Sequence, residues 1–194
     1  MTPLRAPGLV ALMLSMLVLV AGCTGQNNPT YKYAATFTEK TSTNPLSYQG
    51  YVEEGKVLNI YFQANTDNMT KVEVSLVWYD DTKDGCTDSL GLEVVASKQD
   101  LTYDPEQQVE GQSPLVVTVT VQPVPKVKRS NDHVALEDYL AGVTNTQGQG
   151  NWTIRVTCVD AQPNCPAPQE PDAGNGWVLT VTPYFFEGQV EDIE

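Results

Sequence analysis

The sequence predicts an all-β protein, an antiparallel β-sandwich with one short helical insert. Three observations lead there. Residues 71–78 alternate strictly, with Val72, Val74, Leu76 and Trp78 on one face and Lys71, Glu73 and Ser75 on the other, the period-2 pattern of a strand buried on one side. Further short segments rich in Val, Ile, Thr and aromatic residues are separated by turns of Gly, Asn, Asp and Pro, as in sandwiches and barrels. Only one segment has helical spacing, so there is no strand-helix alternation that would build a parallel sheet.

The chain begins with an address. Arg5 precedes an apolar run from Gly8 to Ala21, and Gly22-Cys23 closes it, the three-part layout of an export signal. At about 14 residues the run falls short of the ~20 that cross a hydrocarbon core. Val20-Ala21-Gly22-Cys23 resembles the lipobox of prokaryotic lipoproteins, with Val where Leu is usual. The resemblance implies cleavage before Cys23 and a lipid, such as palmitate, on the mature N-terminal residue. Two chains give stable anchoring where one is marginal. The expected organisation is a signal peptide over residues 1–22, a lipidated Cys23 with tether and first strand over 23–45, a sandwich over 46–187, and an acidic tail over 188–194.

After the small, polar Gly25–Thr30, residues 31–38 read as a first strand and Thr41–Pro45 as a loop. Residues 56–64 form the next strand, turned by Asn65-Thr-Asp-Asn68 into the alternating 71–79 strand. Residues 90–96, 115–122, 152–158 and 177–184 complete the strands. Asn131–Gly142 reads as the helix, with an Asn/Asp start, apolar Val134, Leu136, Tyr139 and Leu140, and a closing glycine. Lys126-Val-Lys-Arg129, just before it, is a small basic cluster on an exposed loop.

Gly150-Asn-Trp-Thr-Ile-Arg-Val-Thr157 followed by Gly174-Asn-Gly-Trp-Val-Leu-Thr-Val-Thr182 is similar to the closing hairpin of the jelly-roll domains that follow the protease in proprotein convertases and subtilases. Val72–Trp78 with Asp88–Val94 looks like the paired strands earlier in such domains. The resemblance covers about half the mature chain. It implies a jelly-roll form of the sandwich and a non-catalytic accessory or binding role, although no protease precedes the domain and the helical insert is foreign to the pattern.

Composition narrows the partners. Of 194 residues, 41% are hydrophobic, enough for a folded core. There are 24 acidic and 11 basic residues, for a net charge of -13. Loss of residues 1–22 would take Arg5 with them and leave -14. An acidic surface of this size repels phosphate backbones and excludes nucleic acid as a partner. Catalytic signatures are lacking. The single histidine, His133, has no nucleophile in a recognisable turn beside it, and no zinc spacing or phosphate loop is present. Carboxylate pairs, which meet only in space, leave an envelope hydrolase open as an alternative.

The acidic loops carry the remaining chemistry. Asp80, Thr82, Asp84 and Asp88 space side-chain oxygens around Gly85, like the first half of a calcium loop. The bidentate Glu is replaced by Gly91. The connection from Asp160 to Asp172 and Asn175 could add further oxygens. With Cys23 committed to lipid, three cysteines remain, and Cys158 shares the inward register of Trp152, Ile154 and Val156. The expected bridge is Cys86–Cys165, with Cys158–Cys165 as the alternative. Asn68-Met-Thr70 and Asn151-Trp-Thr153 match the N-glycosylation pattern.

The resulting expectation is an exported, lipid-anchored protein of the cell membrane or cell surface, facing away from the cytoplasm, with a non-catalytic binding or structural sandwich. Its partners would be the membrane through the lipid, and a glycan or envelope protein. The alternative within binding modules is carbohydrate or protein recognition stabilised by Ca2+. An aromatic platform drawn from Tyr31, Tyr33, Tyr61 or Tyr79 would favour carbohydrate.

Overall fold

The computed structural model describes residues 30–78, 88–96, 106–161 and 174–193. The described residues form a jelly-roll sandwich with one helix among them. In chain order the elements are β1 (Tyr33–Thr41), β2 (Leu46–Glu53), β3 (Val57–Ala64), β4 (Met69–Trp78), β5 (Ser89–Ala96), β6 (Glu106–Gly111), β7 (Leu115–Thr120), β8 (Lys128–Ser130), α1 (His133–Val143), β9 (Gly150–Asp160) and β10 (Gly174–Asp192).

One sheet runs β7-β4-β10 and continues into β1 and β8, with β2 also on β10. The other runs β3-β9-β5-β6. Every strand pairing is antiparallel. The orders β2-β10-β4-β7 and β3-β9-β5-β6 are the two facing four-stranded sheets of a jelly roll, a double-sheet answer to the edge-strand problem.

The alternation seen in the sequence becomes the core. Val72, Val74, Leu76 and Trp78 of β4 meet Leu90, Leu92 and Val94 of β5 and Trp152, Ile154 and Val156 of β9, all buried. Each strand delivers every second side chain inward because successive Cβ atoms point to opposite faces. Trp152 stacks on Phe62 with ring centroids 5.7 Å apart. Its indole N–H donates to the Gly148 carbonyl at 2.8 Å, which satisfies the ring's polar end inside the core.

Three pairings depart from the sequence expectation. Residues 150–157 and 174–182 do not form a hairpin. β9 lies between β3 and β5, and β10 belongs to the opposite sheet. Likewise β4 and β5 sit in opposite sheets. In a jelly roll these connections cross over the sandwich, so consecutive strands contribute to a common core without hydrogen bonding to each other.

β10 is the third departure. It runs 19 residues, and positions 188–192, expected as an acidic tail, pair with residues 33–37 of β1. β1 and β2 occupy the same edge of β10 in succession, β2 along 174–181 and β1 along 184–192. The break between them falls beside Pro183, which has no N–H to donate but accepts from the Ser42 N–H at 3.0 Å. β2, β6 and β8 were not legible as strands in the sequence.

The helix lies on the β1/β10 extension. Asp132 caps it by accepting from the Ala135 N–H at 3.2 Å. The expected stop at Gly142 is not used: the helix runs to Val143, and Thr144 closes it through its N–H and hydroxyl, both on the Leu140 carbonyl. Leu136 is buried, whereas Val134 is exposed, because the face towards the sheet is set by positions 136, 139, 140 and 143 at helical spacing. Edge-to-face contacts of Tyr33 with His133 and of Phe37 with Tyr139 tie helix to sheet, and Phe37 also meets Phe186 edge-to-face within the sheet.

Candidate functional site

The sandwich has two unlike ends. At one, the β1 strand enters and α1 packs. At the other, the β2–β3, β4–β5, β6–β7 and β9–β10 connections begin and end. The described residues that flank the acidic segments singled out in the sequence, Trp78, Asp88, Ala161 and Gly174, are at the second end.

Its described part is built around two buried polar side chains. Asp88 precedes β5 and Asn175 is the second residue of β10; they are 2% and 1% exposed. The Asn175 amide donates to Asp88 Oδ2 at 2.7 Å, across a sequence gap of 87 residues. The bond therefore joins the residue just before β5 to the start of β10. Asn175 Oδ1 and the Trp177 indole nitrogen, both buried on the same strand, have no hydrogen-bonding partner among the described residues. Such groups carry a desolvation cost until a water, ion or ligand meets them.

The backbone around this pair is held tightly. Trp177 lies across Gly50 of β2, where a Cβ would stand 2.7 Å from the indole. Gly174 has φ +151°, and a Cβ there would meet the Val52 carbonyl at 2.0 Å. Gly55 donates its N–H to the Cys158 carbonyl at 2.9 Å, and Trp78 donates its N–H to Ser113 Oγ at 3.2 Å.

Among the other sequence-predicted residues, Cys158 is fully buried in β9, as its register required. Cys23, Cys86, Cys165, Asp80, Thr82, Asp84, Asp172 and Tyr79 lie outside the described residues. Asp160 ends β9 opposite Ser89. Among the described residues no group of three or more His, Cys, Asp or Glu is placed to hold a metal ion.

The two sequons differ. Asn151 is exposed on β9, paired with Gln63. Asn68 adopts φ +55°, and its side-chain oxygen accepts from the Asn145 N–H at 2.9 Å. Thr70 is buried and donates to Glu39, so this sequon is part of the fold's own bonding.

Of the four expected tyrosines, the described ones (Tyr31, Tyr33 and Tyr61) do not form one platform. Tyr31 and Tyr33 stand at the β1 start, and Tyr33 packs on His133, which itself lies 3.5 Å from Glu137. Tyr61 projects alone from the outer face of β3. The basic cluster is partly structural: Lys128 and Arg129 belong to β8, paired with Ala35 and Ala34, and the Lys128 ammonium lies 4.4 Å from the Tyr139 ring.

Two further features were missed in the sequence. A cavity of about 320 Å3 lies between α1 and the extension, lined by Phe37, Asn68, Leu140, Val143, Phe186 and Glu187 among others. Its carboxylate, Glu187, is paired with Lys40. The second feature is Glu39, which accepts from the Thr70 hydroxyl at 2.6 Å and from Lys71 at 2.9 Å. The Thr70 bond foremost, then Lys71 against the opposing effect of burial, holds its pKa below the usual glutamate value. Neither had a sequence signal, since each depends on strands far apart in the chain.

No family model matches the chain, and no curated protein matches it. Among solved structures it is similar to that of the infectious bursal disease virus Gt strain, at 12% identity and a TM-score of 0.28, over 82% of this chain and 38% of that one. It is also similar to the VP2 subviral particle of infectious bursal disease virus, at 14% identity and a TM-score of 0.23, over 78% of this chain and 41% of that one. The chain thus spans about two fifths of the structures it matches. Likeness at this level carries no functional argument, and the jelly-roll assignment rests on the strand pairings themselves.

Proposed function

We propose that this chain is an exported protein, anchored by a lipid on Cys23 to the cell membrane or cell surface, whose jelly roll is a non-catalytic binding or structural module. The observation that supports it is the polarity of the fold. Tyr33, ten residues after Cys23, opens β1 and pairs with Asp192 at one extreme of β10. The Asp88–Asn175 pair and its loops stand at the other. At about 3.3 Å per residue, the 19-residue β10 separates the two by roughly 60 Å. A lipid on Cys23 would hold the β1 end towards the membrane and present the acidic loop end outward.

The test is fractionation of the full chain. The wild type is expected in the membrane fraction, processed before Cys23. Cys23→Ser is expected to be released or to remain unprocessed, because the lipid needs the thiol. Normal processing and membrane retention of Cys23→Ser would overturn the anchor.

A second reading is that calcium stabilises the outer end. Asn175 Oδ1, a buried hard oxygen without a donor and next to Asp88, favours it, because calcium takes carboxylate and amide oxygens. Asp80, Thr82 and Asp84, from the preceding loop, supply further oxygens in this reading.

A further inference from the structure

Tyr61 is 69% exposed on β3, halfway along this edge strand on the outer face of the β3-β9-β5-β6 sheet. Strand pairing determines its surroundings. Directly across on β9 is Thr153; the flanking pairs are Gln63 with Asn151 and Asn59 with Arg155. Paired residues share a face, so the ring stands among three carboxamides, a hydroxyl and a guanidinium. The guanidinium is neutralised: Arg155 bonds Glu93 on β5 at 2.6 Å. On a protein of net charge -13, this is a patch without net charge, bordered by one bare ring on the edge strand.

An exposed tyrosine needs a reason only when its neighbours form a pattern. Here they do. A protein interface surrounds its anchor with further apolar surface, and the core of such a patch is mostly non-polar. Tyr61 is flanked by amides on its own strand and by an amide and a hydroxyl on β9 instead, with Val95 reached only beyond Thr153 on the next strand. The complementary ligand has one flat C–H face for the ring, hydrogen-bonding groups along β3 and towards β9, and no net charge. Tyrosine offers that contact rigidly, with little side-chain entropy to lose, while amides adapt their bonding.

We propose that this face binds a neutral saccharide, stacked on Tyr61 and hydrogen-bonded by Asn59, Gln63, Asn151 and Thr153. The proposal rests on the binding-module reading and gives it a ligand class and a surface, distinct from the loop end. On an anchored protein the face lies along the side of the sandwich, parallel to the long β10, where a polymer chain can run past it.

The experiment uses the full chain in a polyoxyethylene detergent, whose head group carries no sugar. Depletion from solution is measured on insoluble cellulose, chitin, starch and mannan, with a polyanionic pectin as the charged comparison. Retention is expected on at least one neutral polymer and not on pectin. Tyr61→Ala is expected to weaken it about tenfold or more, and Tyr61→Phe to keep it within about threefold, since the ring and not the hydroxyl makes the stack. Both variants should melt with the wild type, because the side chain is exposed. Retention that Tyr61→Ala leaves intact overturns this face and leaves a binding module with its site elsewhere. Retention on none of the four, or on pectin alone, overturns the neutral-saccharide assignment, while the anchor reading is decided separately by Cys23→Ser.

Discussion

Asn175 donates to the Asp88 carboxyl group at 2.7 Å with both side chains almost wholly buried, so this bond at the starts of β5 and β10 is shielded from water. A hydrogen bond in such surroundings is stronger than an exposed one, and its loss leaves a buried polar side chain without that donor. Asn175→Ala should destabilise the fold by about 1–3 kcal/mol or more. Urea denaturation of the variant checks it; an unchanged midpoint would mean the pair has no structural role.

The proposed calcium reading concerns the same end. Thermal melts in EDTA and then in millimolar calcium, at constant ionic strength, should show a rise that magnesium does not reproduce, because a ligand of the native state stabilises by mass action. Lacking a bidentate Glu, the site should be weak, in the ~0.1–1 mM range of extracellular modules. Asp84→Ala and Asn175→Ala should each reduce the rise. No shift in the wild type would return these oxygens to solvated-loop and water-bridged roles.

Trp152 anchors the core through the Phe62 stack and the bond to the Gly148 carbonyl. Trp152→Ala should cost about 3–5 kcal/mol, the range for deleting a large buried aromatic. Trp152→Phe should cost less, since it keeps a ring on Phe62 and loses only the indole N–H and some volume. Equal melting temperatures for Trp152→Ala and the wild type would remove this residue from the core.

Glu39 gives the fold an acid sensitivity of known sign. Its pKa is lowered in the folded state by the Thr70 bond first and by Lys71, so the stabilisation is complete above the ordinary value of 4.5 and is lost as pH falls through the lowered folded value. The stability difference between the wild type and Glu39→Gln should therefore be level at neutral pH and shrink below about pH 4.5. The group is partly exposed, so the effect should be modest. Thr70→Val should weaken the dependence. A difference that stays constant down to pH 2 would contradict this account.

Much of the sandwich was legible in order. Val72, Val74, Leu76 and Trp78 face inward as their alternation required, as do Trp152, Ile154, Val156 and Cys158. Alternation is a local property, because the β backbone itself sends successive side chains to opposite faces. β2 was not legible: Leu46-Ser-Tyr-Gln-Gly-Tyr-Val-Glu53 lies at an edge, with Val52 its single buried residue. The stretch 184–192 was missed for a similar reason, since beyond Phe186 it is mostly exposed and is a strand because β1 pairs with it.

The sequence by itself determined which segments are strands with a buried face, that three tryptophans lie in the core, and that the surface is strongly acidic. Only the tertiary structure decided which strand stands beside which: that β9 and β10 belong to opposite sheets, that Asp88 reaches Asn175, and that Tyr61 sits among Asn59, Gln63, Asn151 and Thr153. The physical reason is range. Burial preference is written residue by residue, whereas a pairing across 87 positions is settled when two sheets close over one core, and the hydrogen bonds follow from that register.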